Sequence, residues 1–223
     1  MSVDNIMCNS ACIQFAKANI TEIDVRGKRV IEVGSLDING SLRSMVETFE
    51  PAQYIGVDLC EGHGVDIVCN AAGLIDIFGR EKFDLLISTE MIEHVLDWKK
   101  IVRNFKRILK PSGTLLITTR SRGFFYHGYP DDFWRFELDD MKAMFSDFDI
   151  VALEKDPSSP GVFMMARKPI LFIENDLSHL RLYSVVKFRR TNKVTSLNIR
   201  VASFVYSIKH RISRKALLRG ITS

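Results

Sequence analysis

Two histidines lie in segments that could carry acid–base chemistry. His94 follows Glu93 shortly after the apolar run Phe83–Ser88, and His127 lies in a segment rich in aromatic, aspartate and arginine residues. An imidazole titrates near neutral pH, so either side chain could take a proton from a substrate hydroxyl group. His94 has a structural alternative, because a Glu-His pair at this place could simply cap and pack a turn. We take His94 and His127 as candidate catalytic residues.

The segment around His127 reads RSRGFFYHGYPDDFWRF from Arg120 to Phe136. Aromatic faces can stack on a sugar ring, and carboxylates can accept hydrogen bonds from its hydroxyl groups. Four residues are therefore candidates for substrate binding: Tyr129, Asp131, Asp132 and Arg135. The alternative is structural, with Asp132 and Arg135 as a local ion pair while the aromatic residues of FWRF seal the core.

A second group of candidates follows two apolar runs. Gly34 and Ser35 end the run RVIEVGS, Gly40 opens the next helical segment, and Asp58 lies near the end of YIGVDL. An acidic side chain at such a strand end can accept hydrogen bonds from both ribose hydroxyl groups of a nucleoside. The loop GSLDING lacks G-x-G-x-x-G, and its Asp37 would repel a pyrophosphate. The pattern favours a nucleoside without phosphates, although a glycine turn alone is often only a turn.

Seven short apolar runs alternate with helical patterns, and this alternation positions the candidate residues. Continuous apolar strands alternating with helices indicate a parallel sheet covered on both faces, and the last two runs are joined by a turn, as in antiparallel pairs. We therefore predict an α/β, doubly wound, mostly parallel seven-stranded sheet with an antiparallel last strand. The predicted strands are Arg29–Ser35, Tyr54–Leu59, Val65–Cys69, Phe83–Ser88, Thr114–Thr119, Phe148–Leu153 and Val162–Arg167. Helices are predicted at 5–19, 40–49, 74–78, 98–109 and 137–145.

The order of these segments resembles the motif series of class I S-adenosylmethionine-dependent methyltransferases. VIEVGS with NGS, then YIGVD, FDLLISTEMIEHV and FKRILKPSGTLLITT occur in the family's order and spacing, over residues 27–170. More narrowly, the chain is similar to the type 11-like branch, in which Glu-His follows the fourth strand. The resemblance implies a Rossmann-like fold, S-adenosylmethionine as cofactor and a methyltransferase activity.

The resemblance also implies cofactor contacts for nine residues. Glu32 would support the loop and the methionine amino group, and Glu90 would line the methionine end. Asp58 would hold the ribose hydroxyl groups, Leu59 would pack on the adenine, and the residues after the third strand would meet the adenine edge. The nine residues are Glu32, Gly34, Ser35, Gly40, Asp58, Leu59, Asn70, Ala71 and Glu90.

Charge divides the chain unequally, although the net charge is only +4. Residues 177–223 hold eleven Lys or Arg and no acidic residue, whereas residues 1–176 hold the other 20 against all 27 acids. We predict a methyltransferase domain over 1–176 and a basic, amphipathic helical appendage over 177–223. Residues 194–217 could lie on an anionic membrane, bind nucleic acid, or pack on the body or on another subunit of a homo-oligomer. Nucleic acid is not expected, because the tail's aromatic residues are not clustered for base stacking.

The expected reaction is methyl transfer to a small-molecule or glycan acceptor, through a hydroxyl oxygen of a sugar or a lipid-linked saccharide. Ser-Thr-Glu-Met follows the fourth strand in place of the Asn/Asp-Pro-Pro-aromatic turn of enzymes that methylate exocyclic base amines, which disfavours a nucleobase acceptor. The alternatives are an RNA methyltransferase anchored by the tail and a non-catalytic protein that binds the cofactor.

Compartment and metal content follow from the N-terminus and the cysteines. The start of the chain has no basic and apolar signal pattern and no run long enough to span a bilayer, so a cytoplasmic protein is expected, with the inner membrane face as its alternative site. The four cysteines, Cys8, Cys12, Cys60 and Cys69, are too few for a disulfide framework. No His or further Cys accompanies the Cys8–Cys12 pair, so no metal site is expected.

Overall fold

A seven-stranded sheet forms the centre of the computed structural model, which describes residues 10–38, 40–127 and 131–206. Its order is β3-β2-β1-β4-β5-β8-β7, and β8 pairs antiparallel with both neighbours while β1 to β5 pair in parallel. The predicted fold class is therefore confirmed. The strands within the described residues are β1 Arg29–Val33, β2 Gln53–Asp58, β3 Ile67–Val68, β4 Phe83–Thr89, β5 Leu109–Arg120, β6 Trp134–Arg135, β7 Asp149–Lys155, β8 Gly161–Arg167, β9 Leu182–Ser184 and β10 Arg189–Thr191.

Helices cover both faces of this sheet. Successive strand residues alternate between two apolar clusters: Val30 packs with the cluster of α1 and α3, and Ile31 with that of α4, α5 and α6. Such alternation follows from the period-2 geometry of a strand and buries the sheet on both sides. The helices are α1 Ser10–Asn19, α2 Glu22–Val25, α3 Arg43–Glu47, α4 Leu74–Phe78, α5 Trp98–Ile108, α6 Leu138–Met144 and, in the tail, α7 over 196–206, with short 3₁₀ turns at Ala71–Gly73 and Ile92–His94.

The tail takes part in the main core. Strand β9 lies between β6 and β10 in a three-stranded sheet, with Trp134 opposite Ser184 and Arg135 opposite Tyr183. Leu177 and Leu182 are buried in the larger apolar cluster. The prediction of a helical appendage from residue 177 thus differs from the structure, where two strands precede the helix. The sequence signal was weak because the two strands have only three residues each.

Helix α7 presents its apolar stripe to solvent. The side chains of Leu197, Val201 and Phe204 are 68%, 56% and 67% exposed, whereas Ala202 on the other face is buried. Leu197 and Val201 are therefore largely open to solvent and are not packed into the core of the body, which one of the sequence-based alternatives required. The rest of the predicted helix, 207–217, lies outside the described residues. Among the described residues, no helix is long and apolar enough to cross a membrane.

Candidate functional site

The turn after β1 is built from close backbone contacts. Gly34 has φ +83, and its N–H donates to the carbonyl of Val57 at 2.9 Å. A Cβ at Gly34 would lie 2.7 Å from Cγ of Met91, in the segment after β4. The position therefore requires glycine for both conformation and space. Ser35 is buried, and its N–H donates to the same Val57 carbonyl at 3.2 Å.

Asp58 is the last residue of β2 and lies next to the turn after β1. Its carboxylate accepts hydrogen bonds from the backbone N–H of Leu36 at 3.2 Å and of Cys60 at 3.1 Å. Each carboxylate oxygen retains a further lone pair after accepting one hydrogen bond. Gly40, with φ +124, donates its N–H to the carboxylate of Asp37 at 2.8 Å, which folds the loop back on itself. The structure thus brings together the turn and the acidic strand end, and ribose binding by Asp58 stays a prediction.

Glu32 is a buried carboxyl group one residue before the end of β1. The hydroxyl of Tyr54 donates to it at 2.6 Å. Burial raises the pKa of Glu32 to about 7, although the hydrogen bond from Tyr54 and the charge of Arg43 oppose the rise. Glu32 can therefore hold or release a proton near neutral pH, a property that the sequence alone did not show.

The predicted adenine contacts lie at the ends of β2 and β3. Leu59 lies directly after β2, and its side chain is 66% exposed. The Asn70 side chain accepts a hydrogen bond from the N–H of Ala72 at 2.8 Å and caps the 3₁₀ turn that begins at Ala71. Ala71 is half-buried, and its carbonyl accepts a hydrogen bond from the side chain of Asn104 at 2.9 Å.

Glu90 occupies a strained and buried position after β4. Its φ is +52, it is 1% exposed, and its carboxylate forms an ion pair with Arg120 at the end of β5. Burial, followed by the nearby carboxylate of Glu93 and the thiol of Cys12, raises the pKa of Glu90 well above its usual value, and Arg120 opposes this rise. Arg120 also pairs with Asp156 at 3.2 Å. Sequence reasoning missed Arg120, whose only signal was an arginine that ends an otherwise apolar strand.

The two candidate catalytic histidines lie side by side. The ring centroids of His94 and His127 are 4.7 Å apart. His94 Nδ1 is 2.6 Å from the carbonyl oxygen of Asp131, and His127 Nδ1 is 3.1 Å from the carboxylate of Asp132. Both partners accept hydrogen bonds, so in each neutral imidazole Nδ1 carries the hydrogen and Nε2 presents its lone pair.

Asp132 and Arg135 form a buried bidentate ion pair at 2.5 and 2.8 Å. Burial alone would raise the pKa of Asp132, but the hydrogen bonds from Arg135 and His127 outweigh it and lower the pKa to about 2. The indole of Trp134 donates to the carbonyl of Val95 at 3.0 Å from within the core. This arrangement matches the structural alternative for the segment.

The other predicted substrate residues contribute less to the described site. Asp131 offers its backbone carbonyl to His94, while its side chain is exposed. Tyr129 lies outside the described residues. Substrate binding by Tyr129, Asp131, Asp132 and Arg135 therefore stays a prediction.

A cavity of about 570 Å³ opens beside the histidine pair. Phe124 lines the cavity, and its ring centroid is 5.0 Å from that of His127, although neither histidine itself lines the cavity. The tail supplies part of the wall, and the ring of its Tyr206 stacks on Tyr126 with centroids 4.1 Å apart. Arg122, Glu137, Tyr183 and Phe188 also line the cavity. Sequence reasoning missed the tail residues, because nothing local shows that they return to the loop after β5.

Comparison with known proteins identifies the family. The methyltransferase domain family matches residues 11–158. The chain belongs to this family. The resemblance inferred from the motifs is therefore confirmed, and the match includes β1 to β7 and the histidine pair.

Curated relatives and solved structures agree with this assignment. A ubiquinone biosynthesis O-methyltransferase of Idiomarina loihiensis is 33% identical over 109 residues, 43% of this chain and 44% of the relative. A protein of the same name from Coxiella burnetii is 29% identical over 116 residues, 46% of this chain and 48% of the relative. The chain thus spans less than half the length of these relatives.

A solved structure shows the same fold. The 1,6-didemethyltoxoflavin-N1-methyltransferase of Burkholderia thailandensis, with S-adenosylhomocysteine bound, has a TM-score of 0.57 and 15% identity. The alignment covers 72% of this chain and 80% of that one.

Proposed function

We propose that this methyltransferase-family chain binds S-adenosylmethionine and transfers its methyl group to a hydroxyl oxygen of a small acceptor, a sugar or a lipid-linked saccharide. The observation that carries the proposal is the aromatic cavity beside the histidine pair. Its volume of about 570 Å³ lies in the range of small-molecule pockets. Its tyrosine and phenylalanine rings suit stacking on a sugar ring, and Arg122 and Glu137 offer a donor and an acceptor for hydroxyl groups.

The cofactor would lie across the ends of β1 to β4. Asp58 would accept hydrogen bonds from the ribose, the exposed Leu59 would cover one face of the adenine, and Gly34 would let the backbone approach the cofactor. The side chain of Glu32 would approach the methionine amino group, whose positive charge favours the ionised carboxylate. Family membership and the O-methyltransferase names of the curated relatives support this arrangement.

The chemical step needs orientation and removal of one proton. The acceptor oxygen attacks the methyl carbon, the carbon–sulfur bond breaks, and its electron pair remains on the sulfur of the departing thioether. The hydroxyl proton passes to the Nε2 lone pair of His127 or His94, whose Nδ1 hydrogens are held by Asp132 and by the carbonyl of Asp131. The cavity walls hold the acceptor in line with the cofactor.

The tail would hold the cytoplasmic enzyme at an anionic membrane surface. The exposed Leu197, Val201 and Phe204 of α7, together with the eleven basic residues of 177–223, support this localisation. Sedimentation with phosphatidylglycerol vesicles, but not with phosphatidylcholine vesicles, is expected at low salt. No binding to either, with dimers seen by analytical ultracentrifugation, would assign the exposed face to a second copy of the chain.

Calorimetry and a methyl-transfer screen test the function. The chain should bind S-adenosylmethionine, and Asp58→Ala should weaken binding at least about tenfold, while the neighbouring exposed Glu61→Ala should not. With methyl-labelled cofactor, label should enter a glycan or lipid-linked glycan fraction of cell extract. Label in RNA alone would refute the acceptor class, and a folded chain that binds no cofactor would refute the enzyme.

A further inference from the structure

Three side chains near the loop after β5 bring atoms that can bind a metal ion close together. A carboxylate oxygen of Glu93 and one ring nitrogen each of His94 and His127 all lie within 4.8 Å of one another. Glu93 is fully buried, and among the described residues its Oε1 atom has no hydrogen-bond partner. A buried carboxylate oxygen without a donor is costly, so this arrangement calls for a cation.

From this convergence we infer a binding site for one divalent transition-metal ion, with Glu93, His94 and His127 as its ligands. Two imidazoles and one carboxylate form a ligand set of catalytic zinc and non-haem iron sites, which leave coordination positions open for water or substrate. Ligands bound to one ion lie roughly 3 Å apart, so the side chains would close in by about 1–2 Å when the ion enters.

Every proposed ligand is already oriented through its other polar atom. The Nδ1 atom of His127 faces the Asp132 carboxylate at 3.1 Å, and that carboxylate is fixed by Arg135. His94 Nδ1 lies 2.6 Å from the carbonyl of Asp131.

The third ligand is held in the same way. The hydroxyl of Thr119 donates to Glu93 Oε2 at 2.9 Å, which leaves Oε1 as the atom without a partner. Metal sites characteristically hold their ligands by such outer hydrogen bonds, which fix the histidine tautomer with Nε2 toward the ion.

The sequence predicted no metal site because the third ligand is distant in the chain. Glu93 and His94 are adjacent after β4, whereas His127 belongs to the loop after β5. The backbone also links the two segments, since the N–H of Phe133 donates to the carbonyl of Glu93 at 3.0 Å. Pairing of β4 with β5 therefore assembles the three ligands.

The role of the ion rests on the proposed function, whereas its binding does not. The acceptor hydroxyl would take an open position on the ion, which lowers the hydroxyl pKa. The proton would pass to water, the oxygen would attack the methyl carbon, and the electron pair of the broken carbon–sulfur bond would stay on sulfur. Both histidines would then be ligands of the ion, so water would replace His127 or His94 as the acceptor of the hydroxyl proton.

Calorimetry on the full, untagged chain, stripped with EDTA and titrated with zinc chloride, tests the site. We expect one zinc ion per chain, weaker binding of Mn²⁺ and none of Mg²⁺ at the same concentrations. Zinc should also raise the melting temperature, and EDTA should reverse the rise.

Variants assign the ligands. His127→Gln and Glu93→Gln should weaken zinc binding at least about 100-fold, and Thr119→Val about 10- to 100-fold. His63→Ala is the matched control, because His63 Nδ1 also meets a carboxylate, Asp37, at 3.2 Å but on the exposed surface. It should bind zinc as the unsubstituted chain does. If the fully buried Glu93→Gln variant fails to fold, the His127→Gln variant, at a side chain that is 9% exposed, and the zinc-induced shift in melting temperature still test the site.

One result would overturn the metal site, and another would overturn the role of the ion in methyl transfer. One is a stripped, folded chain that binds no zinc, which would mean that a proton satisfies these groups instead. The other is methyl transfer that persists unchanged in EDTA while His127→Gln abolishes it, which would leave the histidine as the base. Failure of the proposed function appears separately, as loss of S-adenosylmethionine binding or of methyl transfer in a chain that still binds zinc.

Discussion

The turn after β1 and the loop after β5 lie at the same edge of the sheet, yet different forces hold them. Backbone contacts fix the turn, where Gly34 passes against Met91 and loop N–H groups reach Asp58. Buried charge fixes the loop, where Asp132 is locked to Arg135. The cofactor end should therefore be sensitive to added atoms, and the acceptor end to removed charge.

Removal of the Asp132 charge should have the largest effect. Asp132→Asn leaves Arg135 buried without its carboxylate and should lower the free energy of unfolding by about 3–5 kcal/mol, as measured by urea denaturation. Asp131→Asn, at the exposed neighbour, should change it by less than about 0.5 kcal/mol. Equal effects of the two substitutions would show that buried charge does not hold the loop.

The pH dependence of stability should have opposite sign in the two regions. The native pKa of Glu32 is about 7 and lies above its ordinary value of 4.5. The contribution of Glu32 to the free energy of unfolding is therefore complete below pH 4.5 and is lost as pH rises through 7. This loss of free energy of unfolding should approach about 3 kcal/mol, and it should be absent from the Glu32→Gln variant. The native pKa of Asp132 is lowered from 3.8 to about 2, so its contribution is present above pH 3.8 and is lost as pH falls towards 2.

Tyr54→Phe is the control for the pH experiment. The hydrogen bond from Tyr54 lowers the pKa of Glu32, so its removal should move the loss of stability to higher pH without abolishing it. Urea denaturation between pH 2 and 8 measures the free energy of unfolding of each variant and covers the changes expected from both Glu32 and Asp132. A flat curve for the unsubstituted chain would contradict the assignment to Glu32.

A methyl group at Gly34 should have a smaller but specific effect. In Gly34→Ala, the alanine would have to keep a positive φ, and its Cβ would lie 2.7 Å from Cγ of Met91. We expect the free energy of unfolding to fall by about 2–3 kcal/mol and S-adenosylmethionine to bind more weakly. Gly27→Ala shares the positive φ, at +67, but its Cβ would meet nothing within 4 Å. It should cost only about 1–2 kcal/mol and leave cofactor affinity unchanged. Calorimetry of both variants isolates the close contact.

Loss of one aromatic ring from the cavity should have the smallest effect. Tyr206→Ala removes the ring stacked on Tyr126 and should raise the KM for the acceptor about 2- to 10-fold, with an unchanged Kd for S-adenosylmethionine. Leu197→Ala, on the exposed face of α7, is the control and should leave both constants unchanged. A change in cofactor affinity with Tyr206→Ala would show that the two ends of the site are not separable.

The cofactor end could be predicted from the sequence because its signals are local. The strand before Gly34 and the strand ending at Asp58 are continuous apolar runs, and their boundaries agree with β1 and β2 to within two residues. The acceptor end could not be predicted in this way. Its ion pairs and cavity need contacts between segments distant in the chain, such as Arg135 with Tyr183, and no periodicity records them.

Because β6 pairs with β9, the ribosome must make the later strand before this part of the sheet can form. Trp134 and Arg135 leave the ribosome well before Tyr183 and Ser184, their partners in the three-stranded sheet. At translation rates of about 5–20 residues per second, this edge waits on the order of seconds for its neighbour. Exposed strand edges invite pairing with other chains, so the interval before the last strands arrive is the time at which a nascent chain is most prone to aggregate.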